Sequence, residues 1–394
     1  MLIGIVGKPN VGKSTFFKAC TLADVLIANY PFATIKPNHG IGYVKIDCID
    51  KELGVQCQPR EGFCINHKRF VPVELMDVAG LVKGASEGKG LGNQFLDDLR
   101  QADIFIQVVD ASGTTNEEGK PAKNYYPGKD IEIVENELDL WYSGILKKVW
   151  RTFSRQIEAS KQNFIEAVEK QFSGLKVNEE QIEQTLIKTG LNPEKPASWT
   201  DEEIFLFAST LRKRSKPMLI AANKSDLQES RENIEKMKKE FSYPIIPCSS
   251  DSELALKEAS KQGVIDYLPG ESSFKINESK INKKQEEALS FIKKNVLNIY
   301  ENTGVQEILD YAVFQLLGYI AVFPAGTHKL ADSKGNILPD CFLLPPDSTA
   351  LDFAFRVHED LGKGFIRAID VRTKQPVGKD YKLKNRDGIE IIAR

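Results

Sequence analysis

"LIGIVGKPNVGKS", Leu2 to Ser14, joins a short apolar run to a glycine loop that ends in Lys-Ser. Leu2–Val6 reads as a buried strand. The "TFFKACTLAD" that follows the loop reads as a helix whose N-terminal dipole faces an anion. The spacing Gly7-x4-Gly12-Lys13-Ser14 is the P-loop pattern, in which glycines let backbone N–H groups turn inward around phosphate oxygens. Lys13 is expected to reach the β- and γ-phosphates, and the Ser14 hydroxyl to ligate Mg²⁺. Gly7, Asn10, Val11, Gly12, Lys13, Ser14 and Thr15 are the candidate phosphate-loop contacts. A chance glycine-rich turn would lack the strand before and the helix after.

The rest of the chain bounds what such a loop can serve. At 394 residues there is room for two or three domains, at roughly 150 residues each. A formal net charge of −2 with 27% charged residues excludes a wholly basic nucleic-acid binder, while leaving room for a local basic face. The longest apolar stretch, Ile308 to Ala325, is interrupted by Asp310 and Gln315 and falls short of the about 20 apolar residues of a membrane span. It reads as a core helix running into a strand. No targeting segment fits before a functional loop that begins at Gly7, and six cysteines in a chain of this length do not form a secreted disulfide framework. The expected location is the cytoplasm, with no membrane partner.

The base is chosen further on, in "PMLIAANKSDL", Pro217 to Leu227. An apolar strand ends there in Asn223-Lys224-Ser225-Asp226, the NKxD pattern. Guanine offers N1–H and N2–H donors that one carboxylate, Asp226, can accept together. Adenine offers neither and would leave Asp226 desolvated and unpaired, a difference that sites of this kind turn into discrimination of about 10⁴-fold. Asn223 is expected to bond the purine edge and tie to the P-loop, and the Lys224 stem to lie along the base. Ser249 and Ser250, after the strand "PIIP", offer backbone amides to the guanine O6. An N-cap at Ser250 or Asp251 explains the same residues equally well.

Between these motifs, the strand beginning at Val73 ends in Asp77-Val78-Ala79-Gly80, the DxxG pattern. Asp77 is expected to hold Mg²⁺ through a water, and the Gly80 N–H to sense the γ-phosphate. Gly80, Gly84, Gly88, Gly90 and Gly92 mark a segment that a ligand would order. Upstream, in "NYPFATIKPNHG", Thr34 is the candidate hydroxyl ligand for Mg²⁺.

The set GKPNVGKS, YPFATIKPNHG, DVAGLVKGASEGKGLGNQFLDDLR and NKSD resembles the Obg–YchF group of translation-factor-class GTPases, and within it the archaeal YchF-like branch. The resemblance runs over nearly the whole chain. It implies GTP/GDP and Mg²⁺ as ligands and a partner on the ribosome or RNA. Two departures qualify it. Bacterial and eukaryotic YchF proteins replace NKxD with NxxE and favour ATP, whereas Asn223, Lys224 and Asp226 keep the guanine pattern here. Leu81 stands where Ras-like enzymes carry a water-orienting glutamine, so intrinsic hydrolysis is expected to be slow. Asn10, at a P-loop position that K⁺-using relatives share, makes K⁺ a candidate for neutralising phosphate charge.

The distance from Asp77 to Asn223 is more than twice what a compact GTP-binding domain needs. Leu146, Trp150, Phe153, Ile157, Phe164, Val168 and Phe172 fall at helical spacing, and Thr200 reads as the N-cap of a later helix. The family implies a helical hairpin inserted at this point. Its basic residues sit among acidic ones, as on a solvated face, with an RNA contact as the alternative. Cys48, Cys57, Cys64 and His67 lack a CxxC knuckle and read as small packers of a hairpin, with zinc as the alternative.

From about Phe323 helical periodicity gives way to short strands around a helix at Thr349–Leu361, N-capped by Ser348. This resembles a TGS domain. Lys363, Arg367, Arg372, Lys374, Lys379, Lys382 and Lys384 could form a basic side there, although no aromatic stacking platform accompanies them. The expected fold is an α/β P-loop NTPase G domain with an inserted α-helical hairpin domain and a C-terminal β-grasp (TGS-like) domain. The G domain would occupy 1–130 and, with connecting helices, 216–322; the insertion 131–215; and the TGS-like domain 323–394. An ATPase like the NxxE relatives and a nucleotide-stabilised RNA-binding scaffold are the competing functions.

Overall fold

The computed structural model describes residues 1–21, 38–78, 100–327, 330–332 and 334–394. In chain order the strands are β1 (Leu2–Val6), β2 (His39–Asp47), β3 (Phe63–Ile65), β4 (Lys68–Asp77), β5 (Ile104–Asp110), β6 (Met218–Asn223), β7 (Ile245–Pro247), β8 (Ile265–Asp266) and β9 (Lys275–Ile276). The C-terminal strands are β10 (Ile320–Pro324), β11 (Phe342–Leu344), β12 (Phe365–Asp370), β13 (Pro376–Val377) and β14 (Gly388–Ala393). The longer helices are α1 (Lys13–Thr21), α2 (Gly128–Ser160), α3 (Phe164–Gln171), α4 (Glu179–Thr189), α5 (Asp201–Ser215), α6 (Ser230–Glu240) and α7 (Ser250–Lys261). They continue with α8 (Lys283–Ile292), α9 (Val305–Asp310) and α10 (Ala350–Val357). Among the described residues no helix is long and apolar enough to cross a membrane.

The chain divides into two compact units. The first holds residues 1–19, 74–254 and 287–304. Its sheet runs β4-β1-β5-β6-β7, and every pairing in it is parallel. All residues of β1, β5 and β6 are buried, as continuous apolar runs covered on both faces should be. Helices α2 to α5, expected as a separate insertion, share this sheet's core: Trp141, Leu146 and Phe207 belong to one apolar cluster with Val6, Phe105 and Ile220. At its far end Trp150 stacks on Trp199 with ring centroids 5.2 Å apart. All seven apolar residues picked out by helical spacing are buried. The N-cap expected at Thr200 is present as a reciprocal capping box with Glu203, which opens α5.

The second unit holds residues 20–73, 255–286 and 305–394. Its C-terminal part is a five-stranded sheet in the order β11-β10-β14-β12-β13, in which only β10 and β14 run parallel. Helix α10 covers it through Ala350 and Phe353, packed with Val322, Ala368 and Ile389. The first strand begins at Ile320, three residues before periodicity gives it away. The cap of α10 is Thr349, which forms a reciprocal box with Asp352, and not Ser348, whose Oγ donates to the Pro345 carbonyl. Part of the expected basic side is spent internally: Arg372 pairs with Glu52, Lys363 with Glu359, and Lys382 donates to the Asp347 carbonyl.

Candidate nucleotide-binding site

The glycine loop lies between β1 and α1, within the first unit. Two of its glycines are required by geometry. Gly7 has φ +156°, and a Cβ on it would stand 2.6 Å from the Val108 carbonyl oxygen. Gly12 has φ +89°, and a Cβ there would stand 2.3 Å from Asn223 Nδ2. Val11 is fully buried and anchors the loop, while Ser14 and Thr15 lie in the first turn of α1. Lys13 pairs directly with Asp77 at the end of β4, so the ammonium and the carboxylate expected on either side of the phosphates meet each other.

Asn223, last residue of β6, holds three segments together. Its Nδ2 donates to the Val11 carbonyl at 2.9 Å, and its Oδ1 accepts from the Ser250 N–H at 3.0 Å and the Ser250 hydroxyl at 2.8 Å. Asp226 accepts from the Ser249 Oγ at 2.8 Å, which orients its carboxylate. The backbone amides of Ser249 and Ser250, candidates for the O6 contact, both have protein acceptors: the Thr303 carbonyl and Asn223 Oδ1. The N-cap of α7 is Ser249, whose Oγ accepts from the Ser252 N–H, and not Ser250 or Asp251.

Lys224 has a left-handed backbone, φ +62°, and its ammonium lies 2.8 Å from Asp110 Oδ2. Asp110 also accepts from the hydroxyls of Ser112, Thr114 and Thr115. Burial pushes its carboxyl up, but Lys224 and these hydroxyls outweigh that and hold it below the usual carboxylate range. Lys8, inside the loop, is buried and lies 2.7 Å from Asp130 Oδ2, donates to the Thr115 carbonyl, and sits over the Tyr125 ring. Asp130 belongs to the first turn of α2, so the phosphate loop is pinned to the long helix. Neither Lys8 nor Asp110 was singled out in the sequence, because their partners are more than 100 residues away. Asn10 donates from Nδ2 to the Gly119 carbonyl at 3.0 Å. Thr34, Gly80, Leu81 and the glycines 84–92 lie outside the described residues.

A parallel sheet carrying a P-loop after its first strand, an aspartate at the end of the neighbouring strand and an Asn-Lys-x-Asp loop after a third defines a P-loop GTPase. Comparison with known proteins agrees. A model described as 50S ribosome-binding GTPase matches residues 2–137. One described as the G4 motif-containing domain of YGR210-like Obg-like GTPases matches 221–326, and the TGS domain model matches 331–393. The chain is 49% identical to an uncharacterized GTP-binding protein of Methanocaldococcus jannaschii, covering 100% of this chain and 99% of that one. It is 32% identical to the ribosome-binding ATPase YchF of Bacillus subtilis, covering 93% and 86%. A crystal structure of a GTP-binding protein from Pyrococcus horikoshii superposes with a TM-score of 0.80 at 39% identity, covering 100% of both chains. The chain belongs to the YchF/Obg-like GTPase family, with a G domain and a C-terminal TGS domain of β-grasp fold.

Proposed function

We propose that the protein binds GTP and GDP with Mg²⁺, hydrolyses GTP slowly, and acts as a nucleotide-dependent switch on the ribosome or its RNA. The observation that carries the guanine reading is Asp226, oriented by Ser249 Oγ beside an Asn223 already bonded to the P-loop. That carboxylate has acceptor capacity for two donors on one edge of a base, which guanine supplies and adenine does not.

The metal fits the donor set. Ser14 offers a hydroxyl at the N-terminus of α1 and Asp77 a half-buried carboxylate, both hard oxygen ligands suited to Mg²⁺, with Thr34 as the further hydroxyl. When bound, Mg²⁺ neutralises charge on the β- and γ-phosphate oxygens. Lys13 would exchange Asp77 for those phosphates, leaving the carboxylate free to hold the ion through a water. Gly80, at the end of the DxxG pattern, is the residue that would donate its N–H to the γ-phosphate. Leu81 cannot orient the attacking water, which keeps turnover low until a partner supplies that group.

The name of the Bacillus subtilis relative supports a ribosome-linked role and also raises the rival reading, ATP as substrate. Competition of labelled GDP by GTP and by ATP, in wild type and Asp226→Glu, separates the two. GTP should compete and ATP should not, with the GTP effect weakened in the variant. Effective competition by ATP against the wild type overturns the guanine reading. For the partner, the protein should co-sediment with ribosomes more strongly with a non-hydrolysable GTP analogue than with GDP. Co-sedimentation that ignores the nucleotide would instead favour the scaffold reading.

A further inference from the structure

Away from the nucleotide site, the second unit gathers three cysteines, an aspartate and a histidine that GTP binding does not use. Cys48 follows β2, Cys57 lies in the loop after it, and Cys64 is in β3. The Sγ atoms of these three and a carboxylate oxygen of Asp50 all lie within 4.8 Å of one another. We propose that Cys48, Cys57, Cys64 and Asp50 form a structural zinc site beneath the TGS domain. The inference is independent of which nucleotide the protein binds.

The distances suit a tetrahedral thiolate site. A Zn–S bond of about 2.3 Å places two thiolates of one tetrahedron about 3.8 Å apart. Cys48 Sγ and Cys57 Sγ are 3.6 Å apart, and Cys64 Sγ is 3.9 Å from Asp50 Oδ2. Asp50 is fully buried, and its other oxygen, Oδ1, lies 2.9 Å from His67 Nδ1. A histidine behind a ligating carboxylate is the kind of outer partner that fixes ligand orientation at metal centres. The set is soft enough to prefer zinc over Mg²⁺ or Ca²⁺, and too rich in thiols for either.

Charge supports the same reading. Zinc bound by three thiolates and a carboxylate carries a net charge of about −2 and releases the thiol protons to solvent. Arg69, buried to 1% exposure, forms no ion pair among the described residues, and its Nε has no hydrogen-bond partner. Its two Nη groups donate to the carbonyls of Leu338 and Pro339. A buried, unpaired guanidinium is costly, and an anionic centre beside it offsets that cost.

The position gives the site its role. Cys48, Ile49 and Cys57 share an apolar cluster with Phe323, Leu338 and Val371 of the C-terminal module. The segment just after Cys57 pairs with that module's backbone, Gln58 N–H to the Ile337 carbonyl and Arg60 N–H to the Pro339 carbonyl. Glu52, between Asp50 and Cys57, binds Arg372 and Arg386. Zinc would fasten the loop on which the TGS domain rests.

The test is metal analysis of the full-length protein, purified under reductant and without chelator from zinc-supplemented medium. Wild type and Cys341→Ser should each hold about one zinc per chain, and Cys57→Ser should lose most of it. Because Cys57→Ser could misfold, cobalt substitution of the wild type provides a second reading. A thiolate-to-cobalt charge-transfer band with strong tetrahedral visible absorption is expected, weakened in Cys64→Ser. Wild-type protein that holds no stoichiometric zinc and gives no tetrahedral cobalt spectrum would overturn the proposal. So would a Cys48–Cys57 disulfide in place of metal, or metal retained in full by Cys57→Ser and Cys64→Ser alike.

Discussion

Asn223 Nδ2 and the Val11 carbonyl are 2.9 Å apart, although 212 residues separate them in the chain. One amide thereby links the phosphate loop to the loop that reads the base, and its oxygen reaches on to Ser250. The Asn-Lys-x-Asp asparagine thus acts chiefly on protein. Asn223→Ala removes four buried hydrogen bonds, those with Val11, with the Ser250 N–H and hydroxyl, and from the Cys248 thiol, at about 1–3 kcal/mol for each buried polar group left stranded. GDP affinity should fall by about 10- to 100-fold, and the Tm of the nucleotide-free protein should fall with it. Calorimetric titration and a thermal melt on the same sample check both. An unchanged Tm would mean that the two loops are not held through this residue.

Gly12→Ala tests the same junction from the other side. The added Cβ would stand 2.3 Å from Asn223 Nδ2, at a backbone φ of +89° that alanine rarely adopts. The contact cannot be relieved without breaking the Asn223–Val11 bond. Nucleotide binding should be lost, while far-ultraviolet circular dichroism stays that of wild type because the core strands are untouched. Retained GDP affinity would mean that Gly12 does not pack against Asn223 Nδ2.

The reach of sequence reading can be judged from these residues. The loop from Gly7 to Ser14 and the Asn223–Asp226 tetrad were legible because each is a local spacing with a local chemical purpose. The Asn223 tie to the P-loop was legible only as part of that motif. Lys8 on Asp130 and Lys224 on Asp110 were not, since no local pattern marks a partner more than 100 residues away. The caps fell at Ser249 in place of Ser250 or Asp251 and at Thr349 in place of Ser348, at runs of adjacent capping residues where sequence offers equivalent choices. Cys48, Cys57 and Cys64 were legible as one hairpin group with zinc as the alternative, but Asp50 was not: His67 was grouped with them instead, and the turn that brings Asp50 to the thiols, with His67 behind it, leaves no fixed spacing.

Lys13 and Asp77 give a prediction about metal. Asp77→Asn removes the carboxylate that pairs with Lys13 and would hold the metal-bound water. GDP binding in the absence of Mg²⁺ should survive, since the phosphate loop is intact. The Mg²⁺ concentration for half-maximal GTP hydrolysis should rise by about tenfold or more, equivalent to about 1.4 kcal/mol of lost stabilisation. Phosphate release measured across a Mg²⁺ series decides it. A wild-type Mg²⁺ dependence in the variant would remove Asp77 from the metal site.

Asn10 bears on the monovalent ion. Its Nδ2 is engaged by the Gly119 carbonyl, and its Oδ1 accepts no hydrogen bond among the described residues. If that oxygen holds K⁺ against the phosphates, hydrolysis should be faster in K⁺ than in matched Na⁺ buffer, and Asn10→Ala should erase the difference. Equal wild-type rates in the two buffers would exclude the ion from catalysis.

Asp310 sets a pH dependence of stability. Its Oδ1 accepts from the Lys45 N–H at 2.7 Å and from Gln306 Nε2 at 2.9 Å, within the second unit. Burial pushes its carboxyl from 3.8 up to about 7, against the opposing effect of those two donors. The folded state therefore holds a proton there that the unfolded chain gives up above about pH 4. Unfolding releases protons between about pH 4 and 7, so this group makes stability fall as pH rises through that window, with its full cost reached above pH 7. In Asp310→Asn the side-chain oxygen can still accept both bonds, but nothing titrates. Urea midpoints measured from about pH 4.5 to 7.5 should decline less steeply in the variant, with the stability gain over wild type growing toward pH 7. Parallel curves for the two proteins would mean that Asp310 ionises in the folded state as an ordinary carboxyl does.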